Sequence, residues 1–418
     1  MEVEYSFIYF VSAGLKFFTM LVLAYYFVIS IFGIIEKFTY DNIIKHKPQK
    51  TFAFVIPAHN EEIVIGHIVE NLKSLNYPSE LYDIFVIADN CSDRTAEIAR
   101  EKGALVYERF NKVERGKGFA LKWMFDIILN KLDKKYDAVV VLDADNLVSK
   151  NFLIEMNEKL CRGEKVIQGY IDSKNPYDSW ITASYSIAFW TANRLFQSAR
   201  YHLGLSCELG GTGFCIDTEV LREIGWDALS LTEDLEFTMK LAQKNIKVTW
   251  ADDAIVYDEK PLTLLQSWRQ RKRWMQGFAD VAVRYSGTLI KKSIRDKDLV
   301  AFDCALYALQ PFITIIIGIS MLFDFIKIFY PEMFFDINTS IIAFEWQLFL
   351  LLQTFYILFA LFVDNKIKNI KILLYYLILY PIYCLTWIPI TIHGIIDMKK
   401  KEWSHTLHTR GLSISDIE

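Results

Sequence analysis

Residues 5–35 are strongly apolar and aromatic, interrupted only by Lys16, and three more long apolar stretches follow at 302–330, 341–363 and 372–396. About 20 consecutive apolar residues span a bilayer, so the two ends of this chain are built for lipid and the middle for water. The hydrophobic share of 53% is too high for an ordinary soluble protein, and it is concentrated in these stretches. No short apolar core followed by a small-residue cleavage site marks a signal peptide. Lysines 37, 45, 47 and 50 follow the first span. Positive residues flank the cytoplasmic side, which places the middle of the chain in the cytosol.

That middle, from about 50 to 260, reads as an α/β unit. Phe52–Pro57, Ile84–Ala88, Ala104–Tyr107 and Val139–Leu142 have the branched, apolar content of strands. Between them, helical patterns follow His59–Glu62, run from Arg94 to Lys102, and run over 119–132. Strand and helix in alternation predict a right-handed parallel winding with ligand-facing loops along one edge. The fourth strand ends in Asp143-Ala144-Asp145. In open α/β sheets ligands sit at the carboxyl ends of strands. Two acids one residue apart repel unless a cation lies between them. A hard divalent ion that bridges carboxylates to phosphate suits the pair, and a polar turn capping the next helix is the plainer alternative.

Other functions are excluded or unsupported. A net charge of −4 offers no basic surface for nucleic acid. Neither Gly-x-x-x-x-Gly-Lys-Ser/Thr nor Gly-x-Gly-x-x-Gly occurs, so an ATPase or dinucleotide fold has no support. Cysteines 91, 161, 207, 215, 304 and 384 lack zinc or disulfide spacing and read as reduced thiols.

In order along the chain stand Ile56-Pro57-Ala58-His59-Asn60-Glu61-Glu62, Asp89-Asn90-Cys91-Ser92-Asp93, Gly116-Lys117-Gly118 and Asp143-Ala144-Asp145. Gly210-Gly211-Thr212-Gly213, Thr232-Glu233-Asp234 and Gln270-Arg271-Lys272-Arg273-Trp274 follow. This series, over roughly 50–290, resembles the family 2 glycosyltransferases, and its last two members resemble the Thr-Glu-Asp and Gln-x-x-Arg-Trp signatures of membrane-embedded polysaccharide synthases. The group includes the cellulose, hyaluronan and poly-N-acetylglucosamine synthases.

The resemblance implies a GT-A-like, Rossmann-type domain, a UDP-sugar donor, and Mg²⁺ or Mn²⁺. Asp89 then corresponds to the acid that meets uracil or ribose, with helix capping as the alternative; Asp93 fits capping better. Lys117 corresponds to the diphosphate-binding lysine. Asp143 faces the nucleotide and Asp145 binds the metal. Asp234 corresponds to the general base of an inverting transfer, giving a β product from an α-linked donor. Glu233 orients or caps, and Thr232 caps the helix after it. Gly211 and Thr212 belong to an acceptor-side loop, with Gln168 and Trp180 on the acceptor wall or in the core. Gln270, Arg273 and Trp274 are expected inward, toward pyrophosphate and sugar. Arg269, Arg271 and Lys272 are expected toward lipid or solvent on a basic amphipathic stretch. Trp403 and Arg410 match a short tail that closes over the nucleotide, or else form a frayed basic terminus.

The expected organisation is an N-terminal transmembrane helix (1–36), a cytosolic catalytic domain (48–260), interface helices (261–298), transmembrane helices (302–397) and a tail (398–418), in a multi-pass protein of the plasma membrane. Charge bias puts the loop after 330 outside and the loop at 365–371 inside. Pro381 and Pro389 favour breaking the last stretch into a re-entrant or interfacial hairpin. The leading expectation is a processive, cellulose-like β-glycan synthase that exports a growing polysaccharide, with room for an extracytoplasmic export partner. The alternatives are transfer of one sugar to a membrane lipid, and a catalytically silent membrane scaffold.

Overall fold

The structure, a computed structural model, describes residues 2–36, 46–227, 230–330, 339–368, 370–400 and 410–417. Its centre is an eight-stranded sheet of β1 (Phe52–Ala58), β2 (Tyr82–Asp89), β3 (Leu105–Arg109), β4 (Ala138–Val141), β5 (Leu147–Val148), β6 (Val166–Ser173), β7 (Phe214–Asp217) and β8 (Val248–Asp258). Their order is β3-β2-β1-β4-β7-β6-β8-β5. Strands β1 to β4 are parallel, as expected. Beyond β4 the sheet is mixed: β7 is antiparallel to both β4 and β6, and β5 is antiparallel to β8. This differs from a simple parallel winding because β7, four residues long, returns between strands laid down earlier.

The central strands are covered on both sides. Ala53 and Val55 of β1 and Val139 and Val141 of β4 face one core, while Phe52, Phe54, Ile56, Ala138 and Val140 face the other. Alternate residues pointing to opposite faces, each meeting a helix layer, explain why these strands are apolar throughout.

The helices are α1 (Glu2–Glu36), α2 (Ile65–Lys73), α3 (Thr95–Glu101), α4 (Lys117–Asp126), α5 (Phe152–Cys161), α6 (Trp180–Ala192), α7 (Ala199–His202), α8 (Thr218–Ile224) and α9 (Glu233–Gln243). After the sheet come α10 (Leu264–Asp296), α11 (Leu299–Ala308), α12 (Gln310–Phe329), α13 (Thr339–Val363), α14 (Ile370–Leu374), α15 (Tyr380–Leu385) and α16 (Trp387–Ile396). Thr263 and Gln266 close a capping box at the start of α10, and Lys297 ends it in the left-handed region at φ 54°.

Among the described residues, three segments are long and apolar enough to cross a membrane by length and composition: Phe10–Ile35, Gln310–Phe329 and Ile370–Ile396. Buried ion pairs bind the apolar helices to the sheet domain. Arg200 of α7 meets Asp303 of α11 at 2.7 Å, and Tyr25 of α1 donates to the same carboxylate at 3.0 Å. Just before α14, Asp364 meets Arg194 and Lys366 meets Asp172 of β6, each at 2.7 Å. Just after α16, Asp397 meets Lys272 of α10. One end of the 370–396 segment is therefore tied to β6 of the sheet and the other to α10, whose Gln270, Arg273 and Trp274 sit beside Lys272.

Candidate active site

One cleft opens along the carboxyl ends of β1, β2 and β4, the edge the parallel half of the sheet makes available. Its lining includes His59, Asp89, Lys117, Asp143, Asp145, Gly211, Glu233, Asp234, Gln270, Arg273 and Trp274. Residues from seven separate motifs thus converge: five follow a strand or open a helix at that edge, the glycine loop leads into β7, and Gln270, Arg273 and Trp274 lie within α10.

The Asp143–Asn146 turn is built tightly. The Asp143 backbone N–H donates to Asn146 Oδ1 at 3.0 Å and to Thr212 Oγ1 at 3.1 Å, and the Thr212 hydroxyl donates to Asn146 Oδ1. Asp145 Oδ2 accepts from the Glu259 backbone N–H at 3.1 Å, and the Lys174 ammonium donates to the Asp145 carbonyl. The Lys117 ammonium bridges Asp143 Oδ1 and the Gly211 carbonyl, the latter at 2.7 Å. Burial opposes its charge, but the Asp143 and Glu233 carboxylates outweigh that and raise its pKa.

Asp234 lines the same cleft from the first turn of α9. Gly211 has φ +82°, and a Cβ there would lie 3.1 Å from Asp234 Oδ2. A glycine keeps both the left-handed turn and the space beside that oxygen. Burial raises the Asp234 pKa. Burial and then the Asp234 carboxylate push Glu233 up to about 7, against the pull of Lys117. Two adjacent buried acids cannot both ionise cheaply, so the pair retains a proton where isolated carboxylates would have lost it.

The Asp143 and Asp145 carboxylates are oxygen donors of the kind a hard divalent cation takes. Among the described residues no group of three or more His, Cys, Asp or Glu side chains is arranged to hold a metal. A cation at Asp143 and Asp145 would therefore complete its shell with substrate phosphate and water, the arrangement Mg²⁺ favours.

A sequence model described as glycosyltransferase-like family 2 matches residues 48–277, more than half of the chain. The chain belongs to this family. It is a glycosyltransferase, and the reading of a catalytically silent scaffold is set aside. The chain is 25% identical over 360 residues to the probable glycosyltransferase YdaM of Bacillus subtilis, covering 83% of each. It is 28% identical over 274 residues to a β-monoglucosyldiacylglycerol synthase of Trichormus variabilis, covering 62% of this chain and 56% of that protein. It is 25% identical over 252 residues to a poly-β-1,6-N-acetyl-D-glucosamine synthase of Staphylococcus epidermidis, covering 59% of each. The chain thus spans little more than half the length of the last two. The fold matches that of a mannosyltransferase from Pyrobaculum calidifontis, solved with GDP-Man and Mn²⁺, with TM-score 0.61, 14% identity and coverage of 94% of this chain and 100% of that one.

Several of the transferase's expected site residues sit elsewhere than the motifs suggested. Thr212 is 3% exposed and spends its hydroxyl under the Asp143 turn instead of on the cleft. Thr232 precedes α9 but makes no side-chain cap; it packs against Gly277 of α10. Gln168 is fully buried and shapes the glycine loop, accepting from Gly210 N–H at 2.8 Å and donating to the Thr212 carbonyl at 2.9 Å. Asp93 does cap, accepting from Thr95 N–H at 3.0 Å and Glu62 N–H at 3.1 Å.

The helix α10 divides as expected for Gln270, Arg273 and Trp274, but not for Arg271. Its guanidinium is fully buried, 4.2 Å above the Tyr383 ring and 4.9 Å above that of Trp387. Trp274 stacks on Trp387 at 6.5 Å and meets Tyr185 edge-on at 6.0 Å, so this aromatic cluster backs the cleft wall. Burial of Arg271 comes from α15 and α16 folding over α10, a contact that helical periodicity in α10 cannot reveal. Arg410 pairs with Asp178 at 2.6 Å and does not line the cleft. Trp403 lies outside the described residues.

Proposed function

We propose that this transferase moves a sugar from a UDP-sugar to an acceptor hydroxyl with inversion, at the edge of the sheet, and that Asp234 takes the acceptor's proton. The observation that carries the reading is the convergence of Asp89, Lys117, Asp143, Asp145, Asp234 and Trp274 on one cleft. In this reading Asp89 orients the nucleobase or ribose, and Lys117 leaves its partner Asp143 to meet the diphosphate as a point charge. Asp143 and Asp145 hold the cation. Mg²⁺ or Mn²⁺ held there would supply charge neutralisation to the departing diphosphate. Arg273 adds a planar cation toward the same phosphates, Gln270 supplies an amide toward the sugar hydroxyls, and Trp274 offers an apolar ring face to a pyranose. Asp234, its basicity raised by burial, lines the same cleft and would take the proton of an acceptor hydroxyl that attacks the far face of the anomeric carbon. Glu233 beside it orients the first turn of α9. Gly211 gives the acceptor access, and Thr212 holds the Asp143 turn.

The acceptor in the leading reading is the end of a growing β-linked glycan, a glucan or an N-acetylglucosamine polymer, extended at the cytosolic face of the plasma membrane and passed outward. The similarity to a polymer synthase supports it. The second reading, one sugar placed on a membrane lipid, is supported by the similarity to a glucolipid synthase. Residues 364–397, tied at one end to β6 and at the other to α10, fit an interfacial or re-entrant segment in either case. The Trp403 and Arg410 tail is proposed to gate the nucleotide, which requires Arg410 to leave Asp178.

The deciding experiment incubates full-length protein in nanodiscs with labelled UDP-glucose, UDP-N-acetylglucosamine or UDP-glucuronate, and sizes the products with and without EDTA. Long chains that vanish with EDTA and return with Mn²⁺ are expected. A one-sugar glycolipid moves the assignment to the second reading, and metal-independent transfer removes Asp143 and Asp145 as ligands.

A further inference from the structure

Asp89, at the end of β2, lines the cleft, but only half of its carboxylate is available to a ligand. Arg109 Nη1, from the end of the neighbouring strand β3, donates to Asp89 Oδ1 at 2.7 Å, and Asn90 Nδ2 donates to the same oxygen at 3.0 Å. Arg109 is itself fixed, since its Nη2 donates to the Glu114 carbonyl at 2.9 Å. The Arg109 and Asp89 side chains are 5% and 10% exposed, so neither swings freely into water. Asn90 is held too: it has φ 52°, its backbone N–H donates to the Arg109 carbonyl at 2.8 Å, and its Oδ1 accepts from Asn111 N–H at 2.9 Å. Asp89 Oδ2 receives no hydrogen bond from the described residues.

A carboxylate with both oxygens open accepts two parallel donors. With one oxygen filled, it presents a single acceptor. Guanine carries two adjacent donors on its pairing edge, the ring N1–H and the exocyclic amine; uracil carries one, N3–H, between two carbonyls. We propose that Arg109 selects the nucleobase: by occupying Oδ1 of Asp89 it leaves one acceptor, which matches uracil and strands a donor of guanine. A buried donor left without a partner is what makes polar discrimination strong. The fold by itself does not choose, because the Pyrobaculum enzyme of the same fold was solved with a GDP-sugar. Arg109 is a positioning residue, reaching the base only through Asp89. The inference rests on the proposed role of Asp89 as the nucleobase contact.

The test is calorimetric titration of UDP and of GDP into full-length protein with Mn²⁺, for the wild type, Arg109→Met, Arg109→Gln and Asp89→Asn. The wild type should prefer UDP. Arg109→Met should cut the UDP-to-GDP ratio by about tenfold or more, whereas Arg109→Gln, which keeps an amide against Oδ1, should retain most of it. A role in stability alone would weaken both nucleotides together and leave the ratio in place. An unchanged ratio in folded Arg109→Met overturns the inference. If that variant does not fold, Arg109→Ala, whose smaller side chain leaves room for water beside Oδ1, tests the same loss, and an unchanged ratio there overturns it equally. A wild type that binds GDP as well as UDP counts against the UDP-sugar reading as a whole. A preference lost with Asp89→Asn but kept in Arg109→Met counts against Arg109 alone.

Discussion

Glu233 and Asp234 are neighbours in one helical turn, and their shared surroundings make them unequal to ordinary carboxylates. Glu233 keeps its proton to about 7, because burial and Asp234 both oppose its charge. The folded state therefore binds a proton that the unfolded chain releases near 4.5. The sign follows: this contribution to stability is whole below the unfolded value and is lost as pH rises through about 7. Glu233→Gln should consequently gain thermal stability over the wild type at pH 8, with the gain shrinking toward pH 5; melting curves at both values check it. The acid limb of transfer should lie above the usual aspartate range, since the raised pKa of Asp234 protonates the proposed base early. Residues such as Asp89, Lys117 and Asp143 were legible in the sequence because each sits in a short motif at a strand end. Arg109, Thr212 and Arg271 were not, because what each touches is set by strands and helices distant in sequence.

At the scale of elements, the site depends on how closely α10 approaches the start of α9. A Cβ at Gly277 would come within 2.6 Å of Thr232 Cγ2, immediately before Glu233 and Asp234. Gly277→Ala should push α9 away, costing about 1–3 kcal/mol and lowering kcat more than UDP affinity. Single-turnover rates beside UDP titration check this; an equal loss in both would show a general collapse of the cleft. The four parallel strands and the helices between them could be read from apolar runs and turn residues. The mixed half of the sheet could not, because the direction of a four-residue strand such as β7 leaves no mark in periodicity.

For the whole molecule, the apolar helices and the sheet domain form a single unit through buried charges. Asp303 is 1% exposed and takes both Arg200 and Tyr25. Removing one partner of a buried ion pair leaves the other uncompensated, so Asp303→Ala should cost about 3–5 kcal/mol and lower the melting temperature in detergent far more than loss of an exposed pair such as Arg94–Glu97. Membrane-scale organisation was partly legible: the apolar stretches and lysine-bearing loops were plain, while the ties from the two ends of 370–396 to β6 and α10 needed the ion pairs to be seen. A cleft of acids at the sheet edge is proposed to carry out sugar transfer with Asp234 as the base. The most direct test measures transfer and UDP–Mn²⁺ binding on the same preparation of Asp234→Asn. Turnover should fall by about 10²–10⁴-fold with nucleotide affinity close to wild type; turnover near the wild-type rate would remove Asp234 as the base.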